Sequence, residues 1–254
     1  SQISKEDLSA LLAAKARGLQ IVVATGRTDL QIAQYLAELE IDGPTIACNG
    51  GLIKNHGTGE IYDVKYFEPE RVRKIVDHCL AEGLDFLLYT PLYVYHAPGS
   101  ERIKIFENYN KTANPEFQVP IRTLDELPKE NPFGEINKVL IIHDLALMPE
   151  IERRFNADGA LTIVTSGPKL IDIMPGKTTK GDALATVSKI LNIPISEIAA
   201  FGDSPNDESM LSAAGVAVVM GNASDEMKKF GDVVTLTNDE GGIKYALEHL
   251  LTLA

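Results

Sequence analysis

Apolar residues along the chain alternate between helical spacing and short continuous runs, which is typical of a fold where helices and parallel strands follow one another. Ser4 has the position of an N-cap before a first helix, and Gly18 follows that helix. Residues 19–24 form an almost continuous apolar run, which predicts a strand buried on both faces of a parallel sheet. Further elements predicted in this part are a helix over 29–39, a strand over 45–48 and a hairpin over 52–62.

The middle of the chain has a different pattern. A helix is predicted from Pro69 to Gly83, and short strands joined by tight turns follow it. Residues 108–132 form a polar stretch with four of the thirteen prolines and are hard to assign to an element. The remaining predicted strands of this part are 86–89, 93–96, 136–143, 161–165 and 170–174.

The alternation of helix and strand returns after Thr178, where predicted elements are helices over 178–191, 208–213 and 242–251 and strands over 198–201 and 216–220. The fold class predicted is α/β, with a Rossmann-like, doubly wound parallel-sheet core and an inserted α+β cap domain. We expect the core to comprise residues 1–65 and 167–254, and the cap to comprise residues 66–166.

Composition narrows the classes of function. The chain has 254 residues and a formal net charge of -12, so it lacks the excess of basic residues that nucleic-acid binding requires. No apolar run reaches the ~18 residues of a membrane span, and no charged-then-apolar leader opens the chain. The two cysteines, Cys48 and Cys79, have no metal-ligand spacing. We therefore expect a cytoplasmic protein, monomeric or weakly homo-oligomeric, with no nucleic-acid or membrane partner.

The strongest chemical signal is an acidic loop that directly follows the predicted strand 198–201. It places Asp203 and Asp207 at the carboxyl end of a parallel strand, the edge where open α/β sheets bind ligands. Two carboxylates on such a loop suit Mg²⁺, which prefers one or two carboxylates together with waters and phosphate oxygens. An ordinary acidic turn that caps the next helix explains the same residues equally well.

Two further loops follow predicted strands. Thr25, Gly26 and Arg27 combine a hydroxyl, a flexible backbone and a guanidinium, a set that can surround a phosphate. A simple turn before a helix cap is the alternative, and on these residues alone it is favoured. Asn49 and Gly50 end the next apolar strand and are either a turn or backbone close to a ligand.

Lys180 lies at the start of an amphipathic helix, where the helix dipole favours an anion instead of a cation. A bound anion resolves this conflict, although a solvated surface lysine is the commoner explanation and Lys177 is near enough to take the same role. The five histidines share no metal spacing, and Cys48 is better explained as a small core residue than as a nucleophile.

In this order and spacing, the motifs resemble those of the Cof-type subfamily of haloacid dehalogenase-superfamily phosphatases, over almost the whole chain. The resemblance implies a Rossmann-like core with a large α/β cap, Mg²⁺ as cofactor, and hydrolysis of small phosphate monoesters such as sugar phosphates. The motifs that carry it are Ala24-Thr25-Gly26-Arg27, Asn49-Gly50, Lys180-Gly181, Gly202-Asp203-Ser204-Pro205-Asn206-Asp207, the stretch from Val218 to Ala223, and Asp239-Glu240-Gly241-Gly242.

The resemblance also implies roles for individual residues. Asp203, Ser204 and Asp207 match the metal site, and Asp207 is alternatively the residue that holds the lysine. Lys180, Thr25 and Asp207 are implied to act in catalysis, with Lys180 neutralising charge on the phosphoryl group. Contacts with the substrate or its phosphate are implied for Thr25, Gly26, Arg27, Asn49, Gly50, Lys180 and Asn206.

One motif of the family is missing. The pattern Asp-x-Asp-Gly-Thr, which in the family carries the nucleophile that becomes an aspartyl phosphate, does not occur in the sequence. We expect it to lie upstream of Ser1, on a central strand without which neighbouring strands would have buried, unpaired backbone groups. Two other functions stay open: a phosphomutase-like phosphoryl transferase, and a non-catalytic module that binds phosphorylated metabolites.

Overall fold

The computed structural model describes residues 3–250 and contains nine α-helices and twelve strands in that range. Within these residues no helix is both long enough and apolar enough to cross a bilayer. The helices are α1 (Lys5–Ala16), α2 (Asp29–Glu38), α3 (Pro69–Ala81), α4 (Lys104–Thr112), α5 (Met148–Phe155), α6 (Lys180–Leu191), α7 (Glu208–Ala213), α8 (Asp225–Lys228) and α9 (Gly242–Tyr245). The strands are β1 (Pro44–Ala47), β2 (Leu52–Asn55), β3 (Ile61–Val64), β4 (Asp85–Tyr89), β5 (Val94–His96), β6 (Ile121–Thr123), β7 (Lys138–Ile142), β8 (Leu161–Gly167), β9 (Leu170–Pro175), β10 (Ala199–Gly202), β11 (Val216–Val219) and β12 (Val233–Val234).

Side-chain oxygens cap the first turns of α1 and α6. Ser4 Oγ accepts a hydrogen bond from the backbone N–H of Asp7 at 3.0 Å, which confirms Ser4 as the N-cap of α1. Thr179 Oγ1 accepts from the backbone N–H of Asp182 at 3.1 Å and caps α6 in the same way. The cap at Thr179 sets the position of the first residue of α6, which is Lys180.

The strands form three sheets. The first, β1-β2-β3, is antiparallel, and the second, β10-β11-β12, is parallel. The third has six strands in the order β6-β5-β4-β7-β9-β8 and is antiparallel except between β5 and β6. The α/β fold class is confirmed, and the wholly parallel sheet is formed by strands that follow the return of the helix–strand alternation.

Two separate groups of buried side chains lie on the six-stranded sheet. One joins α3 and α5 to the sheet around Phe86 and Ile141, and the other packs α4 against Leu87 on the opposite face. A third group joins α6 and α7 to β1, β10 and β11 around Ile46 and Val219. The six-stranded sheet and the parallel sheet therefore have hydrophobic cores of their own.

The strand predicted over residues 19–24 does not form. This segment lies parallel to β1, with hydrogen bonds of 2.9 Å from Ile46 N to Val23 O and 2.8 Å from Thr25 N to Ile46 O, but only Ala24 and Ile46 form a bridge. Residues 19–24 are partly or fully exposed instead of buried. A parallel strand in a sheet interior needs partners on both edges, and within residues 3–250 this segment pairs with β1 alone.

The structure also adds detail at the predicted end of the cap and in the unassigned stretch 108–132. The six-stranded sheet continues through β9 to Pro175, nine residues beyond the predicted end of the cap at residue 166. The stretch 108–132 includes the end of the helix α4 and the strand β6. The last helix begins at Gly242 as predicted, and its backbone continues as a π-helix over Ala246–Leu250. The predicted end of this helix, residue 251, lies outside the described residues. The division into a core and a cap stays a prediction.

Candidate active site

The four loops singled out by the sequence lie together in the structure. Asn206 Nδ2 donates a hydrogen bond to Asn49 Oδ1 at 2.9 Å, which joins the loop after β10 to the loop after β1. Lys180 Nζ donates to Asp207 Oδ1 at 2.6 Å, which joins the start of α6 to the loop after β10. The contacts therefore bring together loops that follow strands of two different sheets, the antiparallel sheet with β1 and the parallel sheet with β10.

Asp207 organises the loop in which it lies. Its Oδ1 accepts from Lys180, and its Oδ2 accepts from the backbone N–H groups of Asp203 and Ser204 at 3.0 and 3.1 Å. The residue is 6% exposed and ends the short turn Pro205–Asp207 before α7. Both carboxylate oxygens are therefore already engaged, an arrangement that suits a residue holding Lys180. Its direct coordination of a metal stays a prediction.

Asp203 is the exposed carboxylate of this loop. Its Oδ1 accepts from Ser204 Oγ at 3.0 Å, and its Oδ2 accepts from Asn222 Nδ2 at 2.8 Å. Within residues 3–250 there is no cluster of three His, Cys, Asp or Glu side chains that could hold a metal ion. Mg²⁺ requires only one or two carboxylates when waters and phosphate oxygens complete its shell. The oxygen donors of Asp203 and Ser204 fit that partial set.

The loop 25–27 is held against the loop 48–50 by backbone hydrogen bonds. Cys48 N donates to Arg27 O at 2.8 Å, and Asn49 N donates to Thr25 O at 3.0 Å. Thr25 Oγ1 accepts from the backbone N–H of Arg27 at 3.1 Å, so the hydroxyl stabilises its own turn, while the Arg27 side chain is exposed. A Cβ atom on Gly26 would lie 2.9 Å from Asn49 Oδ1, so a larger residue there would displace the side chain of Asn49.

Gly50 brings the start of α6 against the same loop. Its φ of +98° is in the region that favours glycine, and an added Cβ would lie 2.3 Å from the carbonyl oxygen of Thr179. Lys180, the next residue, is 5% exposed. The alternative that Lys180 is a solvated surface lysine is therefore wrong, because its ammonium group is buried and paired with Asp207.

Two residues at the site were not predicted from the sequence. Lys138 Nζ, at the start of β7, donates to the backbone carbonyl of Gly26 at 2.7 Å and lies 2.8 Å from Asp172 Oδ1. Asp172, within β9, accepts from Asn49 Nδ2 at 3.0 Å through its other oxygen. The sequence signal for Asp172 is its position inside the apolar run 170–174. A charged residue there indicates a buried partner, since charged residues are rarely fully buried without one.

Cys48 has the chemistry of a core residue. Its side chain is 1% exposed, and burial raises the pKa of its thiol to about 12, an effect that the nearby Lys138 ammonium only partly offsets. A cysteine reacts as its thiolate, which this environment disfavours at neutral pH. The interpretation of Cys48 as a small core residue is consistent with this burial.

The chain matches known proteins over nearly its full length. The sequence profile of the haloacid dehalogenase-like hydrolases matches residues 1–247. Phosphatase YwpJ of Bacillus subtilis is 30% identical over 98% of this chain and 94% of its own length. The 5-amino-6-(5-phospho-D-ribitylamino)uracil phosphatase YwtE of Bacillus subtilis is 30% identical over 99% of this chain and 93% of its own length.

Solved structures show the same relationship in three dimensions. A haloacid dehalogenase-like hydrolase from B. subtilis superposes with a TM-score of 0.83 at 30% identity, over 98% of this chain and 94% of the other. Both the match of the family profile and the agreement with this structure cover nearly the full sequence. The protein therefore belongs to the haloacid dehalogenase-like hydrolases, and the relatives that it resembles include enzymes that are phosphatases.

Proposed function

We propose that the protein is a Mg²⁺-dependent phosphatase that hydrolyses small phosphate monoesters, such as sugar phosphates, through an aspartyl-phosphate intermediate. The observation that carries this proposal is the buried pair of Lys180 and Asp207 at 2.6 Å, next to the exposed carboxylate of Asp203. A relative named as a 5-amino-6-(5-phospho-D-ribitylamino)uracil phosphatase supports a small phosphorylated metabolite as substrate.

In this proposal the chain supplies fixed donors around the phosphate. Lys180, oriented by Asp207, neutralises charge on the phosphoryl group. Thr25, Asn206, Asn49 and the loop backbone at Gly26 and Gly50 contact its oxygens, and the exposed Arg27 contacts the substrate. Mg²⁺, held by Asp203 and Ser204, would supply charge neutralisation at the phosphate. Phosphoryl transfer depends mainly on positioning and electrostatic stabilisation, and these residues provide both.

The nucleophilic aspartate is proposed to lie on a segment that precedes Ser1. Two strand edges support this placement: within residues 3–250, the segment 19–24 pairs only with β1 and β10 pairs only with β11. A parallel strand between them would satisfy the backbone groups of both edges. It would also end beside Asp203 and Thr25, since each of them follows one of the two flanking segments.

The buried free thiols of Cys48 and Cys79 are consistent with a reducing compartment such as the cytoplasm.

The test is release of inorganic phosphate from a panel of phosphate monoesters, with the gene product that includes the preceding segment. Turnover in the presence of Mg²⁺, lost on adding a chelator and restored by Mg²⁺, is the expected result. The matched control is a protein of residues 1–254, which should release no phosphate. Equal turnover by the two proteins would disprove the upstream nucleophile, and no turnover of any ester by the longer protein would contradict the phosphatase.

A non-catalytic module that binds phosphorylated metabolites is the second candidate. The observation that favours it is that no Asp-x-Asp-Gly-Thr motif occurs in the 254 residues, although the loops proposed to contact phosphate meet through Asn206 and Asn49. Such a module would be stabilised by phosphate esters without converting them. An intact mass of the purified protein separates the two candidates at once, because a mass of 27.6 kDa means that the nucleophile is absent from the purified chain.

A further inference from the structure

A buried ion pair in the six-stranded sheet contacts both of the loops that face the proposed phosphate. The pair is Lys138 and Asp172, which are 4% and 0% exposed. Lys138 donates to the carbonyl oxygen of Gly26 at 2.7 Å, and Asp172 accepts from the amide of Asn49 at 3.0 Å. Neither residue belongs to the motifs that identify the family resemblance, and the six-stranded sheet contains both.

The loop that Asp172 contacts has a backbone conformation of unfavourable energy. Cys48 and Asn49 have φ values of 51° and 56°, in the left-handed region that residues other than glycine rarely adopt. Such conformations persist where surrounding contacts fix them. The side-chain amide of Asn49 is bound at both ends, through Nδ2 to Asp172 and through Oδ1 to Asn206. Asp172 therefore fixes the orientation of the Asn49 side-chain amide, whose oxygen accepts a hydrogen bond from Asn206.

The pair is poorly explained by stability alone. Desolvation of two buried charges offsets much of their attraction, so that a well-packed apolar replacement of both often has little effect on stability or increases it. The contacts that an apolar pair could not provide are those with the Gly26 carbonyl and the Asn49 amide. These two contacts connect the six-stranded sheet directly to the loops after residues 19–24 and after β1.

We propose that Lys138 and Asp172 are positioning residues for the phosphate site, an inference that rests on the proposed function. Lys138 holds the carbonyl of Gly26, and Asp172 holds the amide of Asn49. The two loops therefore adopt their phosphate-binding geometry only when the six-stranded sheet packs against them. Loss of either side chain does not remove any group that is proposed to contact phosphate, but it shifts those groups from their binding positions.

A second buried pair of the same kind provides a matched control. Lys54 Nζ lies 3.0 Å from Asp29 Oδ2, with side-chain exposures of 9% and 0%. Asp29 accepts hydrogen bonds from Lys54 and Thr28, and its Oδ2 lies 3.6 Å from His56 Nδ1. Asp29→Ala therefore removes a buried carboxylate from a lysine, as Asp172→Ala does, without removing a hydrogen bond to Asn49 or Gly26.

The experiment compares the two variants in the gene product that includes the preceding segment. It measures kcat and KM on one phosphate monoester, affinity for inorganic phosphate by calorimetry, and melting temperature. We expect both variants to melt earlier. Asp172→Ala should lower kcat/KM roughly 100-fold and weaken phosphate binding at least about tenfold, because small displacements of positioning groups have effects of that size. Asp29→Ala should stay within about threefold of the unaltered protein in both measurements, since it leaves the two loop contacts in place.

Two further variants separate positioning from stability. Asp172→Asn keeps an oxygen that can accept from Asn49, so it should bind phosphate more tightly than Asp172→Ala does. The double variant Lys138→Met with Asp172→Asn removes both charges, so its melting temperature should recover while kcat/KM stays low, because the bond to Gly26 is lost.

Several results would overturn the inference. One is an equal loss of kcat/KM in Asp172→Ala and Asp29→Ala, and another is recovery of activity together with stability in the double variant. If the unaltered protein converts no ester but binds phosphate, the proposed function fails, and the binding comparison between the variants still decides the role of the pair. If the unaltered protein neither converts esters nor binds phosphate, both proposals are wrong.

Discussion

Replacing Asp207 by alanine should destabilise the protein strongly, because this carboxylate compensates a buried positive charge. Lys180 is 5% exposed, and its ammonium group donates to Asp207 Oδ1 at 2.6 Å. In Asp207→Ala that charge is left without its partner, and the backbone N–H groups of Asp203 and Ser204 lose their acceptor. Breaking a buried ion pair by removing one partner costs about 3–5 kcal/mol.

The two backbone groups add less to this loss than buried ones would. Asp203 is exposed and Ser204 is partly exposed, so water can replace the lost acceptor. The total estimate stays at about 3–5 kcal/mol, a large share of the roughly 5–15 kcal/mol by which proteins are stable. For a chain of this length about 2–4 °C is lost per kcal/mol, so the melting temperature should fall by roughly 6–20 °C.

Guanidinium unfolding followed by far-ultraviolet circular dichroism measures the change, since the chain has no tryptophan for fluorescence. Glu70→Ala is the control, because its ion pair with Arg73 spans 3.5 Å on the surface, with side chains 75% and 49% exposed. It should cost less than about 1 kcal/mol. The double variant Lys180→Met with Asp207→Asn should recover at least half of the loss, because the unpaired charge is gone. A loss in Asp207→Ala no larger than that in Glu70→Ala would refute the reasoning.

Three further predictions concern stability, pH and reactivity. Gly50→Ala should cost at least about 2 kcal/mol in the same unfolding assay, because φ is +98° and the new Cβ would lie 2.3 Å from a carbonyl oxygen. Burial acts to raise the pKa of Asp29, but contacts with His56 and Lys54 outweigh it and hold the pKa below the usual 3.8. The stabilisation from ionised Asp29 should therefore be complete above pH 3.8 and be lost as the pH falls through the lower folded-state pKa, measured as the difference in unfolding free energy from Asp29→Asn. The Cys48 thiol, whose pKa burial raises to about 12, should resist iodoacetamide in the folded protein and react after denaturation, as followed by mass.

Each of these predictions has a result that contradicts it. Gly59→Ala is the control for the first, since Gly59 has a φ of +77° but nothing within 4 Å of an added Cβ, and an equal loss at both positions would rule out the steric argument. For Asp29, a stability difference that grows as the pH falls would have the wrong sign. Rapid alkylation of Cys48 under native conditions would show that its thiol is accessible.

Much of the secondary structure is encoded in local spacing. The helix predicted over 208–213 has those bounds in the structure, and the hairpin predicted over 52–62 forms from β2 and β3. Caps such as Ser4 are readable because a side-chain oxygen and the helix that it starts lie within one turn of chain. The loops that carry Thr25, Asn49 and Asp203 could be identified as candidates because each follows an apolar run of strand length, and open α/β sheets bind ligands at the carboxyl ends of their strands.

Pairing partners, in contrast, are not local, and the errors follow from that. The apolar run 19–24 has the composition of a central strand, yet within residues 3–250 only β1 pairs with it, so it stays partly exposed. The apolar run 170–174 lies outside the predicted cap of residues 66–166, yet its strand β9 pairs with β7 and β8 in the six-stranded sheet. A strand joins the sheet whose edge its backbone can reach, which spacing along the chain does not reveal.

By itself, the sequence determined the α/β class, most of the elements, and the loops on which the candidate site lies, because these depend on periodicity and on residue types at strand ends. Only the tertiary structure decided how these groups are used: that Lys180 is buried against Asp207, and that Lys138 and Asp172 reach Gly26 and Asn49 from another sheet. Asn49 and Asp172 are 123 positions apart, and no local pattern can signal a contact that forms only when two sheets pack together.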